Sequence, residues 1–351
     1  MDKKQLFSRL PEALLPWYYE NHRDLPWRQD QDPYHIWVSE IMLQQTRVEA
    51  VKGYYDRFLK ALPTVSVLAQ CDDDTLFKLW EGLGYYSRVR NLKKAAQQIM
   101  DKHNGVFPGK HSQVLALPGI GEYTAGAICS IAFDQPTPAV DGNVLRVISR
   151  ITNDDTPIDL PAYKKAVQQS LAAIYPDRAG DFTQALMELG ATVCGPNRQP
   201  DCENCPCREF CLGNQKKTAA GLPVKLPKRG RKIEEKTVFI LSCLGKYAIE
   251  KRTQKGLLAG LWQFPNVPGK LNTQAALRQV EKFGLKSIEI NMQVERKHIF
   301  THVEWHMRGV FVEVGFCGGD FVWLSESEIR DQAALPTAFR LFLPEDKLDF
   351  F

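Results

Sequence analysis

Between Gln215 and Lys236 the chain changes character: Lys216, Lys217, Pro223, Lys225, Pro227, Lys228, Arg229, Gly230, Arg231, Lys232 and Lys236 are opposed only by Glu234 and Glu235. A stretch this basic and this rich in proline cannot bury a core, so it reads as an extended linker between two independently folding halves. Before it, segments such as Val89–Met100 and Tyr163–Ile174 carry apolar residues at helical spacing, broken by short Gly/Pro punctuation, which predicts an all-α unit. After it, Thr237–Leu241, Glu304–Val314 and Phe321–Leu324 are β-branched and aromatic runs flanking one helical stretch, Thr273–Phe283, which predicts an α+β unit. The expected layout is residues 1–215, a linker over 216–236, and residues 237–351. At 351 residues two cores fit the size at which single cores stop growing.

Composition excludes more than it selects. No apolar run approaches the ~20 residues that cross a bilayer, and the N-terminus has no signal-peptide core. Cys71, Cys129, Cys243 and Cys317 are scattered singly among mostly apolar neighbours, as expected of free thiols in the reducing cytoplasm. The formal charge of +4 does not by itself declare a nucleic-acid binder.

Three motifs carry chemistry. Leu117-Pro118-Gly119-Ile120-Gly121 opens a helix at Glu122; its glycines permit close backbone approach, and the helix start offers unpaired N–H groups to a phosphate oxygen, although an ordinary interhelical turn has the same form. Asp141 precedes Gly142-Asn143 at a helix start, where capping alone would explain it, while Glu40 interrupts the apolar run Trp37–Leu43, where burial would raise its pKa. Together they form a candidate acid and anion pair. Cys194, Cys202, Cys205 and Cys211 follow a Cys-x7-Cys-x2-Cys-x5-Cys pattern that supplies four thiolates to one loop, for zinc or for a [4Fe–4S] cluster; only one Cys-x2-Cys knuckle of the common zinc arrangement is present.

Ser39–Thr46, Glu81–Arg88, Leu117–Ala127, Val140–Val144 and the four-cysteine loop, in this order, resemble the adenine DNA glycosylases that remove adenine mispaired with 8-oxoguanine. The resemblance covers nearly the whole chain, more loosely after residue 215. It implies a helix-hairpin-helix glycosylase fold over 1–215, and flipping of adenine out of a duplex that holds an 8-oxoguanine:adenine or guanine:adenine mispair. The residue matching Glu40 protonates departing adenine at N7, and the one matching Asp141 stabilises the sugar cation. By the same resemblance Tyr123 and Asn143 support the Asp and the attacking water, and Arg23, Trp27 and Gln184 line the adenine pocket. Arg28, Gln45, Thr46, Leu83 and Tyr85 match DNA-contacting or wedge residues, with Gly119 and Gly121 forming the hairpin.

Related bifunctional enzymes carry a Schiff-base lysine where Tyr123 stands, so base removal without strand cleavage is expected. The resemblance selects a [4Fe–4S] cluster on Cys194, Cys202, Cys205 and Cys211, with Cys207 a bystander, although the family spaces the first pair by six residues and this chain by seven. Residues 237–351 resemble the family's Nudix-like C-terminal domain. Of the hydrolase's metal-binding acids only Glu281 stands, so pyrophosphate cleavage is not expected, and Phe300-Thr301-His302 resembles the Phe-Ser-His loop that contacts 8-oxoguanine. The expected protein is a cytoplasmic monomer, nucleoid-associated if bacterial. The competing readings are a bifunctional pyrimidine-lesion glycosylase and a non-enzymatic iron–sulfur DNA-binding protein.

Overall fold

The computed structural model describes residues 2–196, 199–227 and 230–343. Asn197-Arg198 of the cysteine loop, Lys228-Arg229 of the linker and residues 344–351 lie outside the described residues.

Two compact units form. The first comprises Met1–Cys71 with Ser87–Pro227, and the second Asp72–Tyr86 with Lys228–Phe351. The first is mainly helical, with helices that follow the expected apolar spacing: Ser87–His103 covers the segment Val89–Met100, and Pro161–Ala172 covers Tyr163–Ile174 except its last two residues. Its central helix, Pro33–Leu43, starts where Asp32 accepts the Tyr34 N–H at 2.8 Å and Pro33 takes the first helical position. Every residue of that helix from Ile36 to Met42 is buried, because the helices Val48–Ala61, Ser87–His103 and Glu122–Phe133 pack around it. Trp37 is fully enclosed, and a large apolar side chain so placed contributes about 2–3 kcal/mol over its exposed state.

The Glu122–Phe133 helix approaches its neighbours through small residues. A Cβ on Gly126 would lie 2.4 Å from the Pro138 carbonyl oxygen, so only glycine lets this helix touch the segment that leads into Asp141. A second apolar core joins the Gly142–Thr152 and Ala179–Thr192 helices through Val144, Val147, Ile148, Phe182, Leu186 and Leu189.

The second unit holds one sheet: β1 (Lys232–Cys243), β2 (Lys246–Lys251), β3 (Trp262–Gln263), β4 (Asn266–Pro268), β5 (Ser287–Ile299), β6 (Val303–Val314) and β7 (Val322–Ser325). The path runs β3-β2-β1-β6-β5, with β4 on β1 and β7 on β2. β1 and β6 pair in parallel, Thr237 beside Arg308, and the other pairings are antiparallel. The Thr273–Lys282 helix covers one face through Ala276 and Val280, and the other face packs on Trp305, Phe339 and Phe342. Mixed α/β structure after the helical half is thus observed.

Two features depart from expectation. β1 begins at Lys232, inside the stretch read as linker, because pairing with Val303–His306 recruits its charged residues into the ladder. The segment Asp72–Tyr86, helical over Asp73–Leu79, packs with the C-terminal unit: Lys251 Nζ pairs with Asp74 at 2.7 Å, and the Leu335 N–H donates to Glu81 Oε1 at 3.1 Å. Neither contact has a local sequence signal. Among the described helices none is long and apolar enough to cross a membrane.

Candidate active site

The Pro33–Leu43, Glu122–Phe133, Gly142–Thr152 and Ala179–Thr192 helices of the first unit surround a cavity of about 200 Å3. Its lining includes Arg23, Trp27, Arg28, Glu40, Thr46, Tyr123, Asp141, Asn143, Gln184, Met187 and Glu188. Glu40 points from the buried middle of its helix and accepts the Tyr123 hydroxyl at 2.7 Å on Oε2. Burial, reinforced by the charge of Asp141 and only partly offset by the Tyr123 hydrogen bond and by Arg28, pushes its carboxyl up to about 7. A carboxylic acid that holds its proton near neutral pH is a competent general acid.

Asp141 is held differently. It caps the Gly142–Thr152 helix, accepting the Val144 N–H at 2.8 Å on Oδ1 and Asn143 Nδ2 at 2.7 Å on Oδ2. Asn143 is itself fixed by Arg146, whose Nη2 donates to Asn143 Oδ1 at 2.9 Å and to the Gly190 carbonyl at 2.8 Å. Burial raises the Asp141 carboxyl from its ordinary value, while the Val144 and Asn143 hydrogen bonds and the Arg146 charge pull it back. The two carboxyl groups therefore differ in kind: Glu40 has the Tyr123 hydroxyl as its donor, whereas Asp141 has a helix N-terminus, an amide and a nearby cation favouring its ionised form.

Across the cavity Glu188, fully buried, receives Arg23 Nε at 2.6 Å and Arg28 Nη2 at 2.7 Å. Burial pushes its carboxyl up, but the two guanidinium groups outweigh that and hold it below the ordinary range. Sequence reading missed Glu188. The available signal was its spacing of four from Gln184, which puts both on one face of the Ala179–Thr192 helix. Trp27 walls the cavity with its edge against Tyr55, ring centroids 5.5 Å apart.

Other singled-out residues lie elsewhere. Gln45 is exposed with φ of 60° just past the end of the central helix, whose Ile41, Met42 and Gln44 carbonyls are gathered by Arg88 Nη1 at 2.6 to 3.1 Å. Gly119 has φ of 77°, and its missing Cβ would meet Asn91 at 2.6 Å; Gly121 opens the next helix into free space. In the second unit Leu83 is buried, while exposed Tyr85, with φ of 46°, shares a 2.6 Å hydrogen bond with Thr301 Oγ1. Phe300 is edge-on to Trp305 at 4.8 Å, part of the core there, and Thr301 and His302 are exposed.

The cysteine loop corrects the expected cofactor. Cys194, Cys202, Cys205 and Cys211 do line one pocket, yet among the described residues no group of three or more His, Cys, Asp or Glu side chains is placed to hold a metal ion. Three of the four sulfurs are engaged in hydrogen bonds instead. Arg150 Nη1 donates to Cys194 Sγ at 3.2 Å, Cys211 Sγ donates to the Arg150 carbonyl at 3.5 Å, and the Cys205 and Cys207 thiols are paired with each other. The arrangement does not fit a [4Fe–4S] cluster, and neither that cofactor nor a cluster-bearing loop is assigned to the protein.

Comparison with known proteins agrees with this geometry. Residues 38–174 match the HhH-GPD superfamily of base excision DNA repair proteins, and residues 237–345 match the NUDIX domain. An adenine DNA glycosylase of Rattus norvegicus is 34% identical over 83% of this chain and 68% of its own length. The adenine DNA glycosylase of Arabidopsis thaliana is also 34% identical, over 89% of this chain, which spans only 59% of that longer relative. Among solved structures, a thermostable thymine-DNA glycosylase matches 61% of this chain and 97% of its own, at 29% identity and a TM-score of 0.55. With a relative a third identical matched across two thirds of its length, the chain belongs to the adenine DNA glycosylase family.

Proposed function

We propose that this protein is a monofunctional adenine DNA glycosylase of base-excision repair. In this reading it hydrolyses the N-glycosidic bond of adenine mispaired with 8-oxoguanine or guanine in double-stranded DNA. One observation carries the proposal: two carboxyl groups that burial raises to different ends, Glu40 to about 7 with one hydroxyl donor and Asp141 with a helix N–H and an amide bonding its ionised form, line one cavity with Tyr123 bonded to the first. Breaking a glycosidic bond requires a proton for the leaving group and negative charge beside an oxocarbenium ion. Two such carboxyl groups supply both.

In this reading the residues of the cavity divide the reaction between them. Adenine, extruded from the stack because its bond to the sugar is inaccessible in a duplex, enters against Trp27, with Gln184 and the Glu188–Arg28 pair able to bond its edge. Glu40 gives its proton to the purine ring as the bond to C1′ breaks, and Asp141, whose ionised form Val144, Asn143 and Arg146 favour against the burial that raises it, acts as the carboxylate that stabilises the sugar cation. Glu40, now a carboxylate, orients the attacking water. Tyr123 keeps its phenol protonated, since burial and the two carboxyl charges raise it well above its ordinary value, and a phenol forms no Schiff base. Strand cleavage is therefore not part of the reaction.

We read residues 1–215 as a helix-hairpin-helix glycosylase domain and 237–351 as a Nudix-like lesion-reading domain, joined by a basic linker. Gly119 and Gly121 would present backbone N–H groups to a phosphate, with Gln45, Thr46 and Leu83 near the duplex. The Thr301–Tyr85 hydroxyl pair would face 8-oxoguanine, flanked by Phe300 and His302. Free cysteines throughout the described chain fit a cytoplasmic protein, acting as a monomer on nucleoid DNA if bacterial.

A labelled 8-oxoguanine:adenine duplex under single turnover tests the proposal: cutting at adenine is expected only after alkali. Direct strand cleavage without alkali, or none after it, defeats the reading. In the same assay Thr301→Val should shrink the preference for 8-oxoguanine over guanine opposite adenine by roughly five- to tenfold, with adenine excision itself intact.

A further inference from the structure

Cys243 ends β1 and Cys317 stands in the loop that follows β6. Because β1 and β6 are parallel neighbours, with Ser242 beside Glu313, both strands leave the sheet at the same end. There Leu244 and Gly245, both with positive φ, turn the chain into β2, leaving Cys243 opposite Lys246. The glycine-rich loop Gly315-Phe316-Cys317-Gly318-Gly319 lies against this turn, and Cys317 Sγ donates to the Cys243 carbonyl oxygen at 3.7 Å. The two thiols also share a hydrogen bond with each other. Cys243 is 3% exposed, whereas Cys317 is open to solvent. Neither lines the glycosylase cavity.

We propose that Cys243 and Cys317 form an oxidant-responsive dithiol, with Cys317 the peroxide-reactive thiol and Cys243 the resolving one. An exposed thiol beside a sheltered second thiol is the layout in which a sulfenic acid is captured as a disulfide before it oxidises further. The Cys243 thiol is pushed up to about 11, first by its hydrogen bond to Cys317 and then by burial, which makes it the poorer first nucleophile, while the exposed Cys317 is the thiol that peroxide can reach.

In the first step the Cys317 sulfur attacks one oxygen of hydrogen peroxide. The O–O bond breaks, hydroxide leaves and takes up the thiol proton as water, and Cys317 becomes a sulfenic acid. In the second step the Cys243 sulfur attacks the Cys317 sulfur, the S–O bond breaks, and the departing hydroxide leaves with the Cys243 proton as a second water. Two thiols and one peroxide thus give a disulfide and two waters: the sulfurs are oxidised by two electrons and the peroxide is reduced. The product staples the β1–β2 turn to the β6–β7 loop within the C-terminal unit.

The test treats the full-length protein with equimolar hydrogen peroxide, quenches with iodoacetamide, and digests it with trypsin without reductant. The expected product joins residues 237–246 to residues 309–330, lacks about two hydrogen masses relative to the separate peptides, and is released by dithiothreitol. Cys317→Ser should abolish it. Cys243→Ser should leave the sulfenic acid uncaptured, so that dimedone labels Cys317 roughly tenfold more than in the wild type. Oxidation of Cys317 to sulfinic acid with Cys243 still alkylated overturns the proposal. So does a cross-link between other cysteines, or dimedone labelling that Cys243→Ser leaves unchanged.

Discussion

Replacing Glu40 with glutamine separates what this side chain does for catalysis from what it does to stability. The carboxyl shifts from 4.5 to about 7 on folding chiefly because the packed helices bury it. At about 1.4 kcal/mol per unit, the folded state prefers the protonated form by about 3 kcal/mol. Folded Glu40 binds its proton more tightly than unfolded Glu40, so the associated stability is fully present below about 4.5 and is lost as pH rises through about 7. Glutamine keeps the shape and can still accept the Tyr123 hydrogen bond, but it never ionises. Glu40→Gln should therefore match the wild type near pH 4, gain on it between about pH 4.5 and 7, and remain more stable by about 3 kcal/mol up to pH 9. Urea unfolding across this range measures the divergence directly. The same substitution should slow single-turnover adenine release on the order of 100- to 10,000-fold and erase the fall in rate that the wild type shows above about pH 7. A variant no more stable than the wild type at pH 9, or one that keeps that alkaline limb, refutes the assignment of a buried proton donor.

Asp141→Asn should retain the helix cap, since the amide oxygen can accept the Val144 N–H, but its NH2 would face the Asn143 donor, so stability should fall by about 1–2 kcal/mol; adenine release should fall at least about 100-fold, and thermal melts beside single-turnover rates distinguish the two effects. Glu188→Ala strands Arg23 and Arg28 in a partly buried site and should destabilise by about 3 kcal/mol, read from the denaturation midpoint, with Glu188→Gln milder. Gly126→Ala pushes a methyl to 2.4 Å from the Pro138 carbonyl, which should cost about 1–3 kcal/mol and slow catalysis by displacing the segment that carries Asp141; a crystal structure of the variant with Asp141 unmoved would count against the link.

Sequence alone determined the order of the two halves, because helical periodicity and β-rich runs are local properties that survive in any tertiary setting. Asp141 was legible as a cap and Glu40 as a carboxylate in an apolar run, since both signals lie within a few residues. Only the tertiary structure decided the rest. That the two acids line one cavity depends on helices separated by a hundred residues, and the burial behind the pKa of Glu40 is a property of all of them together. Glu188 stayed hidden because its partners, Arg23 and Arg28, are some 160 residues away. β5 was unread because it is an edge strand with largely exposed side chains and little apolar alternation. The cysteine spacing promised a cluster that the described residues do not assemble, since spacing fixes how close the ligands can come but not where their sulfurs point or what they bond.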